Sequence, residues 1–326
     1  MAERKDVVVS TVVAEERYQS RQAQWERAAS IRSRPRRILA PSADARHLYP
    51  LSRQPLCMHP LVAERGDDAA AFILTHSLYK FLNDIAMVET EVVNEIASRL
   101  ANGRLRRSFP EPLRFDALLI VVDEAYHAYV ARDLMRQVRA STGIEPLDLP
   151  PTIELSRAMT AIQERLDPLH HEDFQLMAVC IAENSLTKEL LNIHQESPVA
   201  NVFQEVNADH MVDEVRHSAI FSAVMALLWE QMEEEARRAV GALLPPFLEM
   251  YLSSSIQKEF DRMLLELLGF PAEAVEQVIA DTHLRHSLGA IRIINPMVDN
   301  IVKLLEKNGV LAHAPTRAAF AANGLI

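Results

Sequence analysis

The pattern Asp-Glu-x-x-His occurs twice in the chain, as Asp123-Glu124-Ala125-Tyr126-His127 and as Asp213-Glu214-Val215-Arg216-His217. Residues three apart share a helix face, so each copy can present one carboxylate and one imidazole to the same point in space. With 16 Asp, 29 Glu and 12 His among 326 residues, chance supplies only about 0.05 copies of such a pattern. A lone Glu-x-x-His would say little, since roughly one is expected by accident. Each copy also follows an apolar helical segment carrying a single inward Glu. In the first, Leu78, Leu82, Ile85, Val92, Ile96 and Leu100 run at helical spacing through Glu89, while Glu91 and Glu95 fall on the outer face. In the second, Phe174, Met177, Cys180, Ile181, Leu186 and Leu190 surround Glu183. A carboxylate on a core face must be paired, protonated or metal-bound, because bare burial is costly. Two such halves form the ligand set of a carboxylate-bridged dinuclear metal site inside a four-helix bundle.

Composition supports an all-α chain. Only 8 glycines occur and 49% of residues are hydrophobic, with Leu, Ala, Glu, Arg and Met prominent, a texture that favours helices over sheets. A formal net charge of −11 argues against a nucleic-acid partner, which would require clustered Lys and Arg. Cys57 and Cys180 show no paired spacing, so neither a disulfide framework nor a zinc knuckle is expected, and a reducing cytoplasm suits them. Met1 to Asp6 lead into a run of only three valines, too short for a signal peptide, and no apolar stretch reaches bilayer length. A soluble cytoplasmic protein without a membrane partner is the expectation.

Punctuation by Pro and Gly divides the chain, read as a single domain over 1–326. A polar, Arg-rich N-terminal arm (1–40) ends in Arg32-Ser33-Arg34-Pro35-Arg36-Arg37 and is expected to be a partly ordered surface arm or helix rather than a basic recognition tail. Residues 40–67, with Pro41, Pro50, Pro55 and Pro60, read as an irregular strap. The metal-binding bundle spans 68–236, with helices over about 68–102, 111–140, 170–195 and 199–236, the last opened by a Ser197 cap and Pro198. Residues 237–326 supply buttressing helices, with breaks expected at Pro245-Pro246, Gly269 to Pro271 and Pro296.

Glu124 with His127 and Glu214 with His217 are therefore candidate metal ligands, completed by Glu89 and Glu183. A shell of oxygen and nitrogen without thiolate suits iron or manganese, and two ions sharing carboxylates can together reduce O2. Asp123 and Asp213 precede the metal glutamates, where each can take the free N–H of the histidine on the facing helix: Asp123 with His217, Asp213 with His127. His210 shares an i, i+4, i+7 stripe with Glu214 and His217. By spacing alone it is either a hydrogen-bonded core histidine or a further ligand; two candidate ligands on its stripe favour the second. A zincin would need His where Asp213 stands, and no Gly-rich phosphate loop is present.

At these residues the chain resembles the p-aminobenzoate N-oxygenase family, the di-iron amine oxygenases of natural-product pathways. The resemblance runs from about Pro55 to Val310, and its most specific elements are Val122-Asp123-Glu124-Ala125-Tyr126-His127, Ala182-Glu183-Asn184 and His210-x-x-x-Glu214-x-x-His217. It implies a ferritin-like fold and seven iron ligands, falling here on Glu89, Glu124, His127, Glu183, His210, Glu214 and His217. It also implies stepwise oxidation of an amine through hydroxylamine toward nitroso or nitro, with O2 as oxidant, an external reductase or peroxide as electron source, and a homodimer. Family members acting on aminobenzoate hold its carboxylate with an Arg in a C-terminal helix. Matching Leu304 to Gly309 puts Ile293 to Met297 there instead, leaving Arg292 as the nearest substrate-binding candidate. An aryl amine or an amino-acid-derived amine is thus open as substrate. The competing readings are a di-iron hydroxylase or desaturase acting on C–H bonds, and a non-enzymatic ferritin-like iron-binding protein.

Overall fold

The computed structural model describes residues 18–41, 43–195, 201–283 and 296–326, and the side chains of all of these but 186–195, 201 and 296. The described chain is all α, without strands. Its main helices are α1 (Gln22–Ala28), α2 (Asp67–Met87), α3 (Asn94–Ala101), α4 (Glu111–Thr142), α5 (Glu154–Gln163), α6 (His171–Gln195), α7 (Asn201–Gln231), α8 (Glu234–Tyr251), α9 (Ser255–Leu267), α10 (Ala272–Thr282), α11 (Pro296–Lys307) and α12 (Ala314–Ala322).

Helix ends follow from local chemistry. α2 starts after Gly66, whose positive φ of 81° turns the chain, and opens with Asp67 and Asp68 beside the positive end of the helix dipole. α4 has a proline in its first turn and stops at Gly143, in the left-handed conformation, whose N–H donates to the Arg139 carbonyl at 2.9 Å. A π-turn over Val88–Val93 joins α2 to α3 in one rod. This extra-wide turn is a feature the helical periodicity did not reveal.

The rod lies along α4 and α6 lies along α7, and the two pairs meet through α4 with α7 and α3 with α6. Two apolar clusters fill the bundle. One includes Val93, Ile96, Ile120, Phe174, Cys180, Phe221 and Val224; the other includes Leu78, Leu82, Ile85, Ala128, Ala131 and Phe203. The inward Glu and His residues occupy the layer between them. The Pro-rich strap is a series of short turns over Ala45–His47, Leu51–Arg53, Pro55–Met58 and Pro60–Ala63. Tyr49 from this strap packs against Phe81 and Phe203, each at 5.9 Å. Among the described residues, no helix is long and apolar enough to cross a membrane.

Three expectations differ from the structure. The break at Pro245-Pro246 is absent: α8 runs through both prolines. An interior proline costs about 3 kcal/mol, but Leu244, Phe247 and Leu248 on the same stretch are fully buried, each contributing about 1.5–3 kcal/mol, so tertiary burial holds the helix. The fourth bundle helix ends at Gln231, and α8 already begins at Glu234. Helix α5 was not anticipated, although Leu155, Ala158 and Ile162 mark its buried face; it packs on α8. The Ser197 cap lies outside the described residues. α12 crosses α8 at Gly241, where Thr316 Oγ1 lies only 1.9 Å from the place a Cβ would occupy.

Candidate metal centre

Four helical elements each deliver part of one buried cluster. The π-turn carries Glu89, α4 carries Glu124 and His127, α6 carries Glu183, and α7 carries His210, Glu214 and His217. All seven are buried, and the four glutamates are wholly inaccessible. Glu91 and Glu95 are exposed. The π-turn suits its place, because such turns re-aim side chains and recur at functional sites; within it the Thr90 hydroxyl donates to the Ala86 carbonyl at 2.6 Å.

The seven residues form two overlapping groups whose ligand atoms lie within 4.8 Å of one another: Glu89, Glu124, His127, His210 and Glu214 in one, and Glu124, Glu183, Glu214 and His217 in the other. Glu124 and Glu214 belong to both. His127 turns Nδ1 toward Glu124 Oε2 at 2.9 Å and Glu214 Oε1 at 3.6 Å. His217 Nδ1 faces Glu124 Oε1 at 2.8 Å and Glu214 Oε1 at 3.1 Å. His210 uses its other nitrogen, with Nε2 lying 3.2 Å from both Glu89 Oε1 and Glu214 Oε1. All three imidazoles thus meet at Glu214 Oε1, at 3.1 to 3.6 Å.

Protein groups alone satisfy this cluster poorly. Burial, reinforced by the charges of Glu124 and Glu214, pushes Glu89 and Glu183 well above the ordinary carboxylate range. Burial also opposes the charge on Glu124, yet His217 and His127 prevail and hold it well below its usual range. His127 is correspondingly drawn up to about 10: burial disfavours its charge, but Asp213 and Glu124 outweigh it. Neither oxygen of Glu89 accepts a well-formed hydrogen bond, and His210 Nε2 makes none, a costly arrangement for buried polar atoms. Two divalent cations would balance four carboxylates charge for charge and give these atoms partners. The donor set therefore fits a pair of metal ions and, having no thiolate, is not that of a zinc–thiolate site.

The outward nitrogens are held by the two aspartates. His127 Nε2 lies 3.1 Å from Asp213 Oδ2, and His217 Nε2 lies 3.1 Å from Asp123 Oδ2. Between them sits buried Arg216, whose Nη2 donates to Asp123 Oδ2 at 3.1 Å and to Asp213 Oδ1. The sequence reading missed Arg216, although its position inside the second motif, where the first has Tyr126, was a signal. The N-terminal arm lies on the surface, most of its described residues exposed, but it crosses this region, with Trp25 Nε1 donating to Asp123 Oδ1 at 2.9 Å and the Ser30 backbone N–H donating to Asp213 at 3.1 Å. Further along, Arg36 pairs with Asp133, and Arg37 with Asp209. These ties close a pocket that reaches His127 and His210. Its volume of about 40 Å³ holds a few waters rather than an aromatic ring. Arg292 lies outside the described residues.

The sequence model of the p-aminobenzoate N-oxygenase AurF family matches residues 34–309. The chain belongs to this family. The match begins at Arg34, earlier than the Pro55 at which the resemblance was read, and so takes in the arginines that tie the arm to α4 and α7. A relative, the 4-aminobenzoate N-oxygenase of Streptomyces thioluteus, is 24% identical over 266 residues, covering 80% of this chain and 76% of that protein. Trp25 and Ser30 precede the residues matched by the family.

Proposed function

We propose that this protein is an O2-dependent di-iron amine N-oxygenase that oxidises an aryl amine or an amino-acid-derived amine toward hydroxylamine, nitroso or nitro products in a biosynthetic pathway. The observation that carries the reading is the third histidine: His210 stands in the same ligand group as Glu89, Glu124, His127 and Glu214, within a chain of the N-oxygenase family. One iron would be held by Glu89, His127 and His210, the other by Glu183 and His217, with Glu124 and Glu214 shared; manganese fits the same donors. The pair would supply electrons for O2 activation. An external reductase would restore them, or peroxide would take the place of O2 and its two electrons together, since the sequence carries no flavin or iron–sulfur motif.

The chain's own groups prepare that chemistry. The aspartates keep each Nε2 protonated, fixing the tautomer that leaves Nδ1 free to bind. Arg216 offsets part of their charge. The apolar clusters on either side of the layer exclude water, so the charges act in a medium of low polarity. We assign the whole chain to one ferritin-like domain, with the bundle, ending at Gln231, carrying the ligands and the helices from Glu234 onward supporting it, in a cytoplasmic homodimer.

Iron-loaded protein reacted with reductant, 18O2 and a panel of amines provides the test. Heavy oxygen on nitrogen of an aryl or amino-acid-derived amine is the expected product. Oxygen placed only on carbon would transfer the centre to C–H hydroxylation, and iron oxidation without organic product would make it a storage site.

A further inference from the structure

We infer that the N-terminal arm is a working part of the metal centre, with Trp25 and the Ser30 backbone acting as positioning groups for the two histidine-holding aspartates; this rests on the metal-centre reading above. The two aspartates have matching surroundings. Asp123 receives His217 Nε2, Arg216 Nη2 and Trp25 Nε1. Asp213 receives His127 Nε2, Arg216 Nη2 and the Ser30 N–H. Each thus takes one histidine from the facing half of the bundle, one share of the same arginine, and one donor from the arm. Three donors fix a carboxylate's position far better than two, and a carboxylate that holds an imidazole transmits that position to the metal.

The arm is anchored independently on both sides of these contacts. Upstream, the Tyr18 hydroxyl, Ser20 hydroxyl and Arg21 N–H all donate to buried Asp116. Downstream, Arg37 grips Asp209. Trp25 is further steadied by the Arg32 guanidinium, 5.3 Å from its ring centre. The two contacts serve different ions. Trp25 acts through Asp123 and His217, the single imidazole of the group containing Glu183, whereas Ser30 acts through Asp213 and His127, in the group that also contains His210.

Coupling of this kind is reciprocal: whatever factor the docked arm adds to metal affinity, bound metal adds to docking. Two measurements without turnover test it. The first is anaerobic titration of wild type and Trp25→Phe with Fe(II). Phe keeps the ring beside Arg32 and loses only the N–H. One of the two binding steps is expected to weaken by about three- to tenfold, at or below the lower end of the range for groups contacting a ligand directly, while the other holds and the melting temperature of the metal-free protein stays unchanged. The second is limited trypsin digestion, in which cleavage after the exposed Arg27 and Arg32 is expected to slow by a similar factor on metal loading in wild type and less in Trp25→Phe. Wild-type binding of two ions with unchanged affinities in the variant and metal-independent cleavage would overturn the inference and leave the N-oxygenase reading intact. Failure of wild type to bind two ions would remove both.

Discussion

The two halves of the bundle share one plan and depart from it at a few positions. The rod with α4 provides Glu89, Glu124 and His127; α6 with α7 provides Glu183, Glu214 and His217. Seven residues before the motif histidine, however, the second half has His210 and the first has fully buried Ile120. One residue before it, the second half has buried Arg216 and the first has partly exposed Tyr126. Only the first half has a π-turn at its lone Glu. One shared plan thus yields two inequivalent clusters, one with two imidazoles and one with a single imidazole, and the inequivalence resides in a few side chains and one π-turn.

The largest effect should separate shared from unshared carboxylates. On the proposed assignment Glu124 is shared by both ions, so Glu124→Ala is expected to take metal content from about two ions per chain to well below one, whereas Glu183→Ala should retain about one ion; equal losses in metal analysis would contradict the shared role. Arg216 distinguishes the halves next. Arg216→Met leaves Asp123 and Asp213 without their common cation and should destabilise the fold by about 3–5 kcal/mol, while Tyr126→Phe should cost little; chemical denaturation compares them.

A smaller effect belongs to the first half alone. Burial lowers the pKa of His76 to about 4, below the ordinary value near 6.5, so the folded state keeps it neutral. The associated stability is complete above about pH 6.5 and declines as pH falls toward 4, by about 2–3 kcal/mol. In His76→Leu that part of the acid limb should flatten, as melts between pH 7 and 4.5 would show; an unchanged slope would mean that His76 does not contribute. Outside both halves, Gly241→Ala should cost about 1–3 kcal/mol by overpacking against Thr316 while leaving metal content untouched. A loss of metal there would join α8 to the centre.

The features that could be read from the sequence are those with a period or a repeat. Glu89 and Glu183 stood out because a charge interrupts an apolar stripe, and the doubled motif placed Glu124, His127, Glu214 and His217 on inward faces. What escaped depended on contacts distant in sequence. The Trp25–Asp123 bond spans 98 residues, and nothing local in a polar, Arg-rich segment marks it. The π-turn keeps the apolar spacing on both sides, so Glu89 stays inward under either helix type. The prolines of α8 obeyed the burial of their neighbours rather than their own preference.

Iron content per chain, measured for wild type and His210→Ala after anaerobic loading and removal of loose metal, tests the central claim most directly. About two irons in wild type, as paired ligand groups require, with one lost from His210→Ala, is the expected result. Wild type that retains one iron or none, or a variant that holds two as tightly as wild type, would contradict a dinuclear centre with His210 among its ligands.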